Sequence, residues 1–393
     1  MKAFLLVLFL PFLFTQILLA QKDFERLHQS ATVVDGHNDI LYRVMHGGEM
    51  ETYGTRGHSD LPRFRRGGVD VQLFSVWVPS KLKGDAAWQY ALDQMDSLHA
   101  IAARNNENMR IVLTQNDMDE ALTSNVLASL LHLEGGRCID GRRDRILALH
   151  ARGLRSFGLT WNYSSDWASC SKDESARKVK GGLSHKGKSF VRLLDSLGIL
   201  IDVSHLGERA FWDVLSTSSH PVFASHSSCA ALRPHHRNLT DKQLRALAEN
   251  NGIAMMNYFP GFLSSRVNDS HRKQLRDYAK RHMALKNKYP DRGEDYLKAV
   301  DNLIQKAERK KLVTLRTLAD HIDHAVSIAG IDHVGIGSDF DGIGLTPVGL
   351  ADVTDLPLLT RELLRRGYTE PQIKKVLGEN FLRVFRQVSP YVE

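Results

Sequence analysis

Six side chains able to bind a metal or carry a proton each stand at the end of a short apolar run. His37 and Asp39 close Asp35-Gly36-His37-Asn38-Asp39, and Glu134 opens Glu134-Gly135-Gly136. His205 follows Ile201-Asp202-Val203-Ser204, His226 follows Ala224-Ser225, and Asp339 opens Asp339-Phe340-Asp341-Gly342. His37 and Asp39 are two residues apart, so an extended chain turns both to one side. That pair can grip one metal ion; His205 and His226, from neighbouring strands, can grip a second. Glu134 has two oxygens and can bridge both. Imidazole and carboxylate donors suit zinc best, with manganese or cobalt as substitutes. Two such ions about 3.5–4 Å apart lower the pKa of a shared water and polarise a substrate oxygen, which is hydrolytic chemistry. Asp339, beside that water, is placed to take its proton and pass it to a leaving nitrogen.

Other polar residues nearby read differently. His132 shares a face with Glu134 but lies deeper and reads as an interior, hydrogen-bonded histidine. His235, His236 and His333 read as structural or surface residues, and Asp35 as a residue that caps or orients its turn. Asp341, just before Gly342, reads as a turn residue. Arg237 sits in the loop before a helix expected to begin at Asp241. Spacing alone makes it a surface arginine, although an arginine there can clamp a substrate carboxylate with two prongs.

These segments must be brought together by something. Apolar, often β-branched runs occur at Thr32–Asp35, Val69–Val78, Val126–Leu133, Leu154–Thr160, Leu200–Ser204, Val222–Ser225, Ile253–Asn257 and His333–Gly337. Helical patterns alternate with them, among them Ala86–Arg104, Arg142–Arg152, Lys186–Leu197, Glu208–Ser216, Asp241–Glu249 and Leu315–Ala329. The expected fold is α/β, a (β/α)8 TIM barrel, whose strand ends converge on one face. An open doubly wound sheet is the alternative, but no glycine-rich phosphate loop follows the first strand. Residues 264–312 are polar and helical and form an insertion between strands seven and eight. It either covers the barrel mouth or elaborates the outer helical ring.

Composition narrows the classes further. The chain has 393 residues, 42% of them hydrophobic, which excludes collagen-like and disordered readings. The net charge of +7 is dilute, concentrated only in Arg177–Lys188 and His271–Lys288, and no nucleic-acid partner is expected. Three cysteines without CxxC spacing allow at most one disulfide and no cysteine metal site. Lys2 precedes the apolar stretch Ala3–Ala20, then polar Gln21-Lys22-Asp23. Residues 1–20 therefore read as an export signal and 21–393 as one hydrolase barrel domain, periplasmic or secreted. An uncut segment would act as an N-terminal anchor instead; no other membrane span is expected.

In order along the chain, these motifs, with Arg237-Asn238, resemble the membrane (renal) dipeptidase family of the amidohydrolase superfamily, in the form of a bacterial member. The resemblance runs from about Asp35 to Asn380. It implies a zinc-dependent dipeptidase with two Zn2+ per chain: His37 and Asp39 on one, His205 and His226 on the other, Glu134 bridging. Arg237 would then clamp the dipeptide carboxylate, and Asp339 would be the acid/base residue. Dipeptides with a D-residue on the C-terminal side, and β-lactams, are substrates the family implies. The chain departs from the mammalian pattern where Leu-Thr-His becomes Leu159-Thr160-Trp161-Asn162. Trp161 and Asn162 are thus expected at the substrate, with Asn162 able to donate to a developing oxyanion. Other reactions of a metal pair (hydrolysis of lactones, phosphotriesters, N-acyl amino acids or β-lactams) and a non-catalytic envelope peptide-binding protein are the competing readings. The preferred dipeptide and the oligomeric state, a homodimer included, are left open by the sequence.

Overall fold

A computed structural model describes residues 24–389. The segment read as an export signal lies outside them. Among the described residues there are nine strands: β1 (Val34–Asn38), β2 (Val71–Trp77), β3 (Met109–Ile111), β4 (Leu127–Glu134), β5 (Leu154–Gly158), β6 (Leu200–Asp202), β7 (Phe223–Ala224), β8 (Ile253–Met256) and β9 (Val334–Ile336). All pair in parallel, in the order β2-β1-β9-β8-β7-β6-β5-β4-β3, and a further pairing of β2 with β4 closes the ring. Eight strands form the barrel. The ninth, β3, was not expected; it pairs only with the first part of β4, Met109 opposite Leu127, before β5 takes over that edge from Leu131.

The strands are buried along nearly their whole length because one face fills the barrel and the other meets helices. That is why they read as continuous apolar runs. Helices follow at Gly84–Arg104, Arg143–Ala151, His185–Ser196, Glu208–Thr217, Asp241–Glu249 and Leu315–Ala329, within two residues of expectation. Asp241 does begin a helix: Thr240 caps it, its side chain accepting from Gln243 N, with Gln243 returning the bond. The loop carrying Arg237 is thereby fixed above β7.

The insertion contributes the helices Asp269–Lys288 and Glu294–Arg309. None of its residues lines the catalytic cleft. Lys286 Nζ instead bonds Asp352 Oδ1 and Asp355 Oδ2, each at 2.7 Å, and Arg292 bonds Thr354. The insertion therefore braces the segment after β9 from outside. The three cysteines are buried and unpaired. Among the described residues no helix is long and apolar enough to cross a membrane.

Candidate active site

The strand ends deliver their polar residues to one cleft of about 530 Å3 at the C-terminal face of the barrel. β1 extends three residues beyond the end of its expected run at Asp35, so His37 and Asn38 belong to the strand and Asp39 follows it. Glu134 is the last residue of β4, opposite Trp77 of β2. His205, Asp339 and Asp341 have φ of +68°, +61° and +63°. Left-handed backbone is costly for non-glycine residues, and here it re-aims three polar side chains at the end of strands.

The histidine nitrogens converge on Glu134. Its Oε1 lies 3.0 Å from His205 Nε2, 3.5 Å from His226 Nε2 and 3.7 Å from His37 Nε2. His37 Nε2 is also 3.3 Å from Asp39 Oδ2. His205 Nε2 and His226 Nε2 are 3.1 Å apart. Each of these two rings has its other nitrogen engaged: His205 Nδ1 with Asn162 Oδ1 at 3.1 Å, His226 Nδ1 with Ser225 Oγ at 2.6 Å. A proton held on Nδ1 leaves the Nε2 lone pair aimed at the centre. Burial keeps both rings well below the ordinary histidine pKa, with Arg237 and the other histidines adding to it. Two neutral nitrogens and a carboxylate facing one another at such distances make a set of metal donors.

Asp39 and Asp339 make the same case from the other side. Ligand atoms of His37, Asp39 and Asp339 lie within 4.8 Å of one another, as do those of His37, Glu134 and His226. Burial disfavours a charged His37, but Asp39 and Glu134 outweigh it and hold its pKa at about 10. The same negative charge, on Asp39 and Glu134, favours a cation at this position. Burial pushes Glu134 well up, and Asp339 to about 7, with Asp39 adding to both against the pull of His37. Neither His37 nitrogen has a hydrogen-bond partner among the described residues. The donor set fits a divalent metal.

Several supports were not visible to sequence reasoning. Ser225 Oγ donates to Asp202 Oδ2 at 2.6 Å while facing His226, so Asp202 orients His226 through a hydroxyl. Asn257 Nδ2 donates to Asp339 Oδ2 at 2.9 Å. The available signal was a lone aspartate inside an apolar strand, Ile201-Asp202-Val203, which needs a buried partner. Asp35 follows the same logic: it binds Ser338 N and Oγ and so ties β1 to β9. Asp341 is more than a turn residue, since it accepts from Arg43 Nε, His58 N and Ser59 Oγ.

The remaining expectations sort plainly. His132 is buried beneath His37, with Nδ1 2.9 Å from Ser156 Oγ. His333 bonds Gly252 O, and His235 and His236 stack on each other outside the cleft. Arg237 is not a surface residue: it is 4% exposed, its guanidinium bonded to Ser227 Oγ and His226 O with Nε free of any partner among the described residues. Trp161 and Asn162 line the cleft, and Asn162 also turns its Oδ1 to His205 Nδ1. Trp161 meets Trp77 edge-on at 5.0 Å, and Trp77 meets Tyr42 at 5.2 Å, forming an aromatic wall that was not expected.

A family model described as membrane dipeptidase, peptidase family M19, matches residues 21–393. A metallo peptidase from Rhodobacter sphaeroides, liganded with a phosphinate mimic of the dipeptide L-Ala-D-Ala, superposes with a TM-score of 0.76 at 26% identity, covering 91% of this chain and 99% of its own. The probable dipeptidase PvdM from Pseudomonas aeruginosa gives 0.76 and 26%, covering 94% and 98%.

Proposed function

This chain belongs to the membrane dipeptidase family, peptidase family M19, and from that premise we propose that its cleft hydrolyses dipeptides with two zinc ions, for which manganese or cobalt can substitute. His37 and Asp39 would hold one ion, His205 and His226 the other, with Glu134 shared. Bound there, the metals supply Lewis acidity towards water and the scissile carbonyl. Everything else falls to the side chains.

Arg237 brings a buried guanidinium, held by Ser227 Oγ and His226 O, to the lining of the cleft, where it would pair with the substrate carboxylate. Such a fork recognises a carboxylate in two places at once. A carboxylate held on Arg237 would set the carboxy-terminal residue as the leaving group. Asp339 Oδ takes the proton of the attacking water and gives it to the amide nitrogen as the C–N bond breaks. Asn257 holds it beside His37 and Asp39, within reach of a water at that position.

The observation that carries this reading is the convergence of three histidine nitrogens on Glu134 Oε1 with an arginine fork at the same cleft. The test is metal content of the purified protein alongside a panel of L,L and L,D dipeptides, N-acyl amino acids and lactones. About two zinc per chain, with dipeptide cleavage lost to a chelator and restored by zinc, is the expected result. Bound metal with cleavage only of acyl amino acids or lactones would keep the site and overturn the substrate. Export of the mature enzyme belongs to this proposal on the strength of Lys2 and Ala3–Ala20; N-terminal sequencing of the secreted or periplasmic fraction checks it.

A further inference from the structure

The turn after β9, Asp339-Phe340-Asp341-Gly342, continues the pairing of β1 with β9 past the strand ends. Asp339 N donates to His37 O at 3.1 Å, and Asp39 N to Phe340 O at 2.9 Å. Asp39 and Asp339 are thereby set side by side. Two carboxylates so placed repel each other, so their pairing depends on what surrounds them.

Gly342 closes the turn, its N–H donating to Asp339 O at 3.2 Å, and lies against both side chains. A Cβ added to Gly342 would fall closer than van der Waals contact to Asp39 Oδ2 and to Asp339 Oδ1. The backbone itself does not require glycine here: Asp339 and Asp341 take left-handed φ, and Gly342 does not. Glycine is needed for space. Gly344, two residues on, supplies the contrast, since an added Cβ there meets nothing within 4 Å among the described residues.

Asp341 holds the turn down. Its side chain is 2% exposed; Oδ1 accepts from Arg43 Nε at 3.2 Å and His58 N at 3.0 Å, and Oδ2 accepts from Ser59 Oγ. Asp341 N in turn donates to His58 Nδ1 at 3.0 Å. Ser59 Oγ also accepts from Asn38 Nδ2 at 3.1 Å, and Asn38 stands between His37 and Asp39. His58 and Ser59 therefore tie the turn to the end of β1 a second time.

We propose that Asp341 and Gly342 are positioning residues of the catalytic cleft: Asp341 anchors the turn, and the bare Gly342 lets it close over Asp39 and Asp339 as a pair. The inference rests on the metal-dipeptidase reading above. A methyl group at Gly342 must push the Asp39 carboxylate away from His37, and that of Asp339 with it. His205 and His226, which follow β6 and β7, stay where they are.

The experiment is zinc release from the loaded protein against a graded chelator, with dipeptide kinetics on the same preparations. Gly342→Ala should weaken the His37–Asp39 position by about 10–100-fold and leave the His205–His226 step in place. At saturating zinc its kcat should fall at least about tenfold with KM unchanged, because a displaced Asp339 loses its aim and not the substrate. Gly344→Ala, which removes a glycine from the same segment without meeting anything, should release zinc as the wild type does. Asp341→Ala should reproduce the Gly342→Ala pattern. Asp341→Asn guards against misfolding of that variant: its amide can still accept from Arg43 and His58 and donate to Ser59 Oγ, so both positions should stay near normal. Wild-type zinc release by Gly342→Ala, or equal losses in Gly342→Ala and Gly344→Ala, overturns the inference. An Asp341→Asn variant as damaged as Asp341→Ala overturns the anchoring role. Wild-type protein that releases zinc in two steps but cleaves no dipeptide overturns the substrate reading alone, and wild-type protein that takes up no zinc overturns both.

Discussion

Asn162 Oδ1 accepts from His205 Nδ1 at 3.1 Å, so a residue of the loop after β5 fixes the tautomer of a candidate metal ligand after β6. Such outer contacts orient a ligand and raise its basicity. Asn162→Ala should weaken binding at the His205–His226 position by about 10–100-fold and leave the His37–Asp39 position close to normal. Competition against a graded chelator, read as two separate metal-release steps, checks it. Loss of both steps together would show that the two positions are not independent.

Asp339→Asn keeps size and the neighbourhood of Asn257 but removes the proton acceptor. Turnover should fall about 10²–10⁴-fold, with metal content nearly unchanged. Steady-state kinetics beside metal analysis on one preparation decides between proton transfer and metal binding. An Asn variant as active as the wild type would end the acid/base role.

Trp77 stands at the end of β2, and Arg237 follows β7, four strands away in either direction round the ring. A dipeptide whose carboxylate rests on Arg237 therefore reaches across the mouth towards Tyr42, Trp77 and Trp161. Substrates with Leu or Phe as the amino-terminal residue should show kcat/KM at least about tenfold above those with Gly, since a buried apolar group contributes about 1–3 kcal/mol. Trp77→Ala should flatten that preference while leaving metal content alone. An unchanged profile in the variant would place the side chain elsewhere.

Burial would raise the Asp352 carboxyl, but the Lys286 ammonium and the Thr354 hydroxyl outweigh it and hold it at about 2. The folded pKa lies below the ordinary 3.8, so the stabilisation is present above about pH 4 and lost as pH falls towards 2. Asp352→Asn should therefore cost about 2 kcal/mol at neutral pH and almost nothing near pH 2. Lys286 keeps Asp355 as a partner in the variant, which avoids an orphaned ammonium. Denaturant titrations of both metal-free proteins across that range supply the measurement, and a difference independent of pH would assign the loss to packing.

The chain's local pattern determined a great deal. Strands buried on both faces must be continuously apolar, so a His, Asp or Glu directly after such a run stood out; His37, Asp39, Glu134, His205, His226 and Asp339 were weak signals singly and became legible as a set at successive strand ends. Helix starts were legible too, because a capping pair such as Thr240 and Gln243 lies within one turn. What depended on distant partners was not. Arg237 looked like a surface residue until the loop above β7 folded its guanidinium onto Ser227 and His226. β3 is too short to announce itself and exists because the first part of β4 has a free edge. The insertion read equally well as a cover over the mouth or as part of the outer helical ring, and its place outside the cleft, tied by Lys286 to Asp352 and Asp355 more than sixty residues on, was decided by the fold. Asp35 and Ser338, 303 positions apart, meet only because the ring closes. Side-chain type and period are properties of a short stretch of chain; which lone pair faces which donor is fixed by closure of the barrel, where low dielectric makes every unmatched polar group costly.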